Sequence, residues 1–172
     1  MIYLIRHARP ARTGLLLGRV DEPLAVQQIA PSRLPVTTVY SSPLRRARAT
    51  AAALFPGCAI TVLDELNEIS AGVWDGLAWS EIETRWPALA AERLTDWWSA
   101  LPAGAETRAA IALRAQVAWS RMVQGPLPAA VVAHAGINAF LAHAADGSQI
   151  ETFRQEYLEV KALITDRVET HA

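Results

Sequence analysis

Residues 1–10 read MIYLIRHARP: an apolar run from Ile2 to Ile5, broken by Arg6-His7 and closed by Pro10. A short apolar run with β-branched members suits a strand covered on both faces, and the abrupt Arg6-His7 pair puts charge at its carboxyl end. The pattern recurs at LPAAVVAH, residues 127–134, where an apolar strand ends on His134. Between them, VTTVY (36–40) reads as another strand. The following SSPLRRARATAAAL opens on Ser-Ser-Pro and becomes Ala-rich, which predicts a helix over Arg45–Leu54. Strands alternating with helices predict an α/β fold, its sheet mostly parallel and covered on both faces. Ligand sites in such sheets form outside the carboxyl ends of the strands, so the topology can bring His7 and His134 to one edge.

The rest of the chain fills in around these strands. Arg9 to Pro35 reads as a long loop followed by a short helix, Ala59 to Leu63 as a third strand, and Asn67 to Leu77 as a Gly-interrupted loop. Trp79 to Trp98 carries spaced apolar residues and reads as helix broken near Pro87. After a turn at Pro102–Glu106, Thr107 to Met122 places Ile111, Leu113, Val117 and Trp119 at amphipathic spacing. Helix is expected again from Gly136, and Tyr157–Ile164 is expected to close the sheet.

Composition narrows the class. A chain of 172 residues, 52% hydrophobic and 19% charged, fits one domain spanning residues 1–172 and excludes a disordered or fibrous protein. The formal net charge of −1 supplies no global field towards nucleic acid or an anionic membrane, so attraction for anions must be local. Cys58, the single cysteine, has no internal disulfide partner, and no Cys/His spacing reads as a metal site. Arg6 arrives too early for the apolar core of a signal peptide, and no apolar window spans a bilayer. A cytoplasmic protein is expected, with neither a nucleic acid nor a membrane partner.

An imidazole can attack phosphorus, and an adjacent guanidinium favours its neutral form while binding phosphate oxygens. Arg45 and Arg46 fall in the first turns of a helix whose amides already favour an anion. Taken singly, each of these residues fits an ordinary strand end or a solvated helix face.

In order and spacing, however, LIRHARP, SSPLRRARATA, LNEISAGVWDG, PAGAET and VVAHAG resemble the motifs of the histidine phosphatase superfamily, the phosphoglycerate mutase-like proteins. The resemblance implies a three-layer α/β/α domain and a metal-independent phosphomonoesterase working through phosphohistidine, with no cofactor and a small phosphorylated metabolite as partner. His7 matches the nucleophile, Arg6 and Arg46 match phosphate-binding arginines, His134 the second active-site histidine, and Glu68 the general acid. The stretch RHARPARTGLLLGRVDEPLA, with QEYLEV at 155–160, is similar to α-ribazole phosphatases, which implies α-ribazole 5′-phosphate or its cobalamin-linked form as substrate in cobalamin biosynthesis. By that likeness Thr13 and Arg19 would contact phosphate. A broad small-molecule phosphatase, a mutase-like enzyme and a phosphate-binding module with lapsed catalysis are the alternatives.

The pattern is not followed throughout. Ala8 and Ala135 stand where the superfamily usually has glycine, and a methyl group would strain either position if its φ were positive. Leu15–Leu17 is more apolar than its counterpart and, with the Trp-containing helical segment, is a candidate wall for an aromatic leaving group. His143 reads as a packing or surface residue, His171 as an idle tail residue, and Cys58 as a small buried apolar one.

Overall fold

The computed structural model describes residues 1–98 and 100–165, so His171 lies outside the described residues. The elements begin with β1 (Ile2–Arg6), β2 (Leu15–Leu16), β3 (Thr38–Ser41), α1 (Arg45–Leu54) and β4 (Ile60–Val62). They continue through β5 (Leu77–Ala78), α2 (Trp79–Arg85), α3 (Pro87–Thr95) and α4 (Arg108–Gln124) to β6 (Ala129–Ala133), α5 (Ala135–Asp146) and β7 (Val160–Leu163). Five strands form a sheet in the order β4-β3-β6-β1-β7. All neighbours pair in parallel except β7, which runs antiparallel to β1 at the edge.

The two-residue period of the strands sorts their side chains onto two faces. Ile2 and Leu4 of β1 join Ala129, Val131 and Ala133 of β6 in a core with Ile111, Met122 and Phe140 of α4 and α5. Ile5, Val39, Ala130 and Val132 point the other way and pack with Ala51 and Phe55 at α1. The result is an α/β/α sandwich, and fully buried β6 is apolar throughout because neither face meets water. Thr107 caps α4, accepting from the Ala110 amide at 3.2 Å, a contact worth about 1 kcal/mol. A third cluster, around fully buried Trp74 and Ile82, links α2 and α3 to the small β2-β5 ribbon.

Register is what assembles the site. Arg6 lies opposite Ala133, and Ser41 opposite Val132. One residue further on, the His7 amide donates to Ala133 O at 2.9 Å and the Ser42 amide to Val132 O at 3.1 Å. Three neighbouring strands therefore release Ser42, His134 and His7 side by side at their carboxyl ends.

Two expectations are corrected. Residues 9–35 form no helix; they hold β2 and otherwise extended chain, pinned by bonds such as Ala25 N to Arg9 O and by a bridge between Pro10 and Leu24. Prolines at 10, 23, 31 and 35 deny a helix its amide donors, and the strand-like pairing satisfies the backbone instead. Cys58 is exposed rather than buried, because the turn that ends α1 carries it to the surface before β4 begins. Trp79–Trp98 does break at Pro87, which takes the first position of α3.

Candidate active site

The carboxyl ends of β1, β3 and β6 open into a cavity of about 290 Å³. Arg6, His7, Arg46 and Glu68 supply polar groups to its wall, and Leu15–Leu17, Trp97, Trp98 and Leu101 supply apolar ones.

His7 is nearly buried, and its Nδ1 lies 2.7 Å from the carbonyl oxygen of Ala8. A carbonyl only accepts, so Nδ1 carries the proton and Nε2 keeps its lone pair. Burial lowers the His7 pKa to about 3; the bond to Ala8 opposes that shift, while Arg46 and Arg6 add to it. The ring is thus a neutral base at ordinary pH. Ala8 stays in place through its own amide, which donates to Thr50 Oγ1 at 2.9 Å.

His134 meets His7 edge to face, with ring centroids 5.0 Å apart. It is fully buried and forms no part of the cavity wall. Its Nε2 is 2.8 Å from Ser42 Oγ, and Nδ1 has no partner among the described residues. Burial first, then the charges of His7 and the arginines, hold its pKa well below the usual histidine value.

The two arginines are anchored by backbone carbonyls. Arg6 Nη1 donates to Gln155 O at 2.7 Å, and its guanidinium lies 4.0 Å over the Tyr157 ring. Arg46, fully buried, donates through Nη1 to Val20 O at 2.6 Å and through Nη2 to Gly18 O at 2.8 Å. Gly18 has φ +48°, and a Cβ there would stand 1.8 Å from Asp75 Oδ1, so this close crossing of loops requires glycine. Both guanidiniums are pre-oriented and lie on the cavity wall beside His7.

Glu68 reaches the site from the loop after β4. Its Oε1 accepts from the Ile69 amide at 2.9 Å and the Ile137 amide at 3.1 Å, while Oε2 takes only a long 3.4 Å bond from Gly136. His134 occupies the N-cap of α5 without a side-chain cap, so Glu68 caps that helix from a different segment. Loss of hydration raises the carboxyl pKa and outweighs the amides and Arg46, which favour the anion. Oε2, the weakly bonded oxygen, is the natural seat for a proton.

The remaining sequence candidates fall elsewhere. Thr13 is exposed and outside the cavity wall. Arg19 is not itself a wall residue, but it stands beside the wall: its Nη2 lies 2.9 Å from Oε1 of the lining residue Glu106, and its Nε donates to Glu68 O at 3.4 Å. Glu106 in turn binds Arg114, which donates to Glu65 O at 2.7 Å and Asn67 O at 2.8 Å, so this network holds the loop that carries Glu68. Neither Ala8 nor Ala135 has a positive φ, and the methyl groups therefore bring no backbone strain. Among the described residues no group of three or more His, Cys, Asp or Glu side chains could hold a metal ion, and no helix is long and apolar enough to cross a membrane.

Ser42, bonded to His134, and Tyr157 and Arg93, on the cavity wall, are residues that sequence reasoning did not single out. Ser42 was accessible in principle, as the first residue past a third parallel strand. Arg93 has no local signal, since a lone arginine on an amphipathic helix ordinarily faces water.

The model of the histidine phosphatase superfamily (branch 1) matches residues 2–169. No curated protein matches the sequence. An α-ribazole phosphatase from Shigella flexneri superposes with TM-score 0.77 at 22% identity, covering 88% of this chain and 82% of its own. A mycobacterial glucosyl-3-phosphoglycerate phosphatase gives 0.74 at 25%, with 88% and 82% covered. A phosphoserine phosphatase from Entamoeba histolytica, solved with phosphoserine, gives 0.74 at 17%, with 92% and 87% covered. Three different leaving groups on one architecture mean that the likeness carries the fold and leaves the substrate to the cavity. With its motifs matched along nearly the whole chain and its two histidines paired at one sheet edge, the chain belongs to the histidine phosphatase superfamily.

Proposed function

We propose that this phosphatase hydrolyses phosphomonoesters through a phosphohistidine on His7 Nε2, and that its substrate is α-ribazole 5′-phosphate or the cobalamin-linked form. The observation that carries the mechanism is the 2.7 Å contact of His7 Nδ1 with Ala8 O, which assigns the ring proton to Nδ1 and leaves the Nε2 lone pair free on a residue that lines the cavity with Arg6 and Arg46. In the first step Nε2 bonds to phosphorus as the ester P–O bond breaks, and the Glu68 proton passes to the departing alkoxide. In the second step water attacks phosphorus, gives its proton to Glu68 and releases His7 with inorganic phosphate. Arg6 and Arg46 neutralise the equatorial oxygens in both steps. His134, held through Ser42, packs edge to face on His7 and supports its ring.

The phosphate end is indifferent to the leaving group, so selection rests on the remainder of the cavity. Its walls of Leu15–Leu17, Trp97 and Trp98 favour a flat, largely apolar body such as a nucleoside-like base. A broad-specificity phosphatase is the second reading, favoured by a phosphate site whose Arg6 and Arg46 do not depend on the leaving group.

The test is a panel of phosphomonoesters, with trapping of the phosphoenzyme by rapid quench into alkaline denaturant, in which the P–N bond of phosphohistidine survives. We expect a phosphohistidine that His7→Ala abolishes, and a higher kcat/KM for α-ribazole 5′-phosphate than for 3-phosphoglycerate. A flat profile moves the assignment to the broad phosphatase, and turnover without phosphoenzyme removes the covalent mechanism.

A further inference from the structure

The cavity wall contains, besides Arg6 and Arg46, a further cation that the phosphoryl chemistry does not use. Arg93, on α3, is 4% exposed, yet its side chain lines the cavity beside Trp97, Trp98 and Leu101. Its guanidinium lies 4.1 Å over the Trp97 ring and 5.7 Å from that of Trp74. Nη1 donates to Ala100 O at 3.0 Å, whereas buried Nε has no partner among the described residues. Burial depresses the Arg93 pKa, and Asp96 is the opposite charge that acts against this shift. Holding a guanidinium out of water with one carbonyl bond and two aromatic faces is costly unless the free donors meet an acceptor. A surface arginine would have taken solvent instead.

We infer that Arg93 is a specificity-determining residue that donates to a hydrogen-bond acceptor on the leaving group, at the end remote from phosphorus. This deepens the proposed function, on whose phosphate site it rests. An ester occupying the cavity places phosphate at Arg6 and Arg46, its body between the Leu15–Leu17 loop and Trp97, and its far end at Arg93. Two chemistries supply the acceptor: an unprotonated nitrogen of a heteroaromatic ring, and a carboxylate on a small acid. An ester lacking either leaves a buried donor unsatisfied, a loss that discriminates more strongly than a missing methylene.

Two matched pairs of substrates test this. Benzimidazole riboside 5′-phosphate and indole riboside 5′-phosphate differ in one ring nitrogen; 3-phosphoglycerate and glycerol 3-phosphate differ in a carboxylate. The wild type should favour the acceptor-bearing member of one pair by about tenfold or more in kcat/KM, with the pair identifying the acceptor. Arg93→Met should bring that ratio close to one, and Arg93→Lys should leave it intermediate, because an ammonium lacks the planar fork. Each ratio is taken within one protein, so a partly unfolded variant does not distort it. Equilibrium binding of the same four esters gives the ratios independently of turnover. Failure of phosphatase activity thus strikes the proposed function alone. Ratios near one in both pairs for the wild type, or a ratio that survives Arg93→Met, overturn the role of Arg93.

Discussion

Gly136 and Glu68 touch so closely that a Cβ on residue 136 would stand 2.5 Å from Glu68 Oε1. The glycine is required by this approach and not by its backbone angle, since its φ is not positive. Ala135, one residue earlier, begins α5, and its φ is not positive. Gly136→Ala must therefore displace the carboxyl from the α5 amides. We expect kcat on alkyl phosphates to fall on the order of 10- to 100-fold, with aryl phosphates much less affected. Equal losses on the two ester types, in a protein with unchanged circular dichroism, would remove Glu68 from proton donation.

Glu68 also sets the alkaline behaviour. Its pKa is raised above the ordinary carboxyl value by burial, and a general acid must hold its proton. Activity on alkyl phosphates should decline as pH rises through that raised pKa, and Glu68→Gln should remove this limb while lowering the rate. The stability linkage has a matching sign. Between 4.5 and the raised pKa the folded state binds more protons, so wild type loses stability relative to Glu68→Gln as pH rises across that window. Urea melts of both proteins at several pH values measure the difference.

For His7 the sign reverses. Its pKa falls from 6.5 to about 3 on folding, so between those values the unfolded chain binds more protons. Wild type should lose stability as pH drops from 6.5 towards 3, by on the order of 1 kcal/mol per pH unit from this residue. His7→Gln should show a correspondingly shallower decline in urea denaturation. Parallel curves for the two proteins would mean that His7 titrates normally.

Arg114 is a positioning residue for the acid. It bonds the Glu65 and Asn67 carbonyls, on the segment leading to Glu68, and pairs with Glu106 at 2.8 Å. Arg114→Met leaves a poorly hydrated carboxylate and two carbonyls without their donor, and should cost about 2–4 kcal/mol of stability. Its catalytic signature should be selective, with alkyl esters losing kcat more than aryl esters and KM little changed. Partial recovery of that selectivity by Arg114→Lys would separate positioning from a general loss of fold.

Ser42 provides the last expectation. Its Oγ lies 2.8 Å from His134 Nε2 and accepts from the Leu44 amide at 3.3 Å. Ser42→Ala should lower phosphoenzyme formation by about tenfold while leaving phosphate binding by Arg6 and Arg46 intact. An unchanged rate of phosphorylation would show that His134 needs no such anchor.

The sequence alone determined what depends on neighbours along the chain. Apolar runs ending in His7 and His134 are strands because β-branched residues pack on both faces of a covered sheet, and α1 runs from Arg45 to Leu54 as its Ser-Ser-Pro start and alanines dictate. Tertiary structure alone decided which side chains converge. Register across β1, β6 and β3 set His7, His134 and Ser42 in line, although nothing local relates a residue at 42 to one at 134. Arg19 turned to Glu106, and Glu68 became the cap of a helix it does not belong to. Arg93 went inward, where its neighbours are aromatic rings. The partners that satisfy Arg19 and Glu68, like the rings that receive Arg93, become neighbours only when the layers pack.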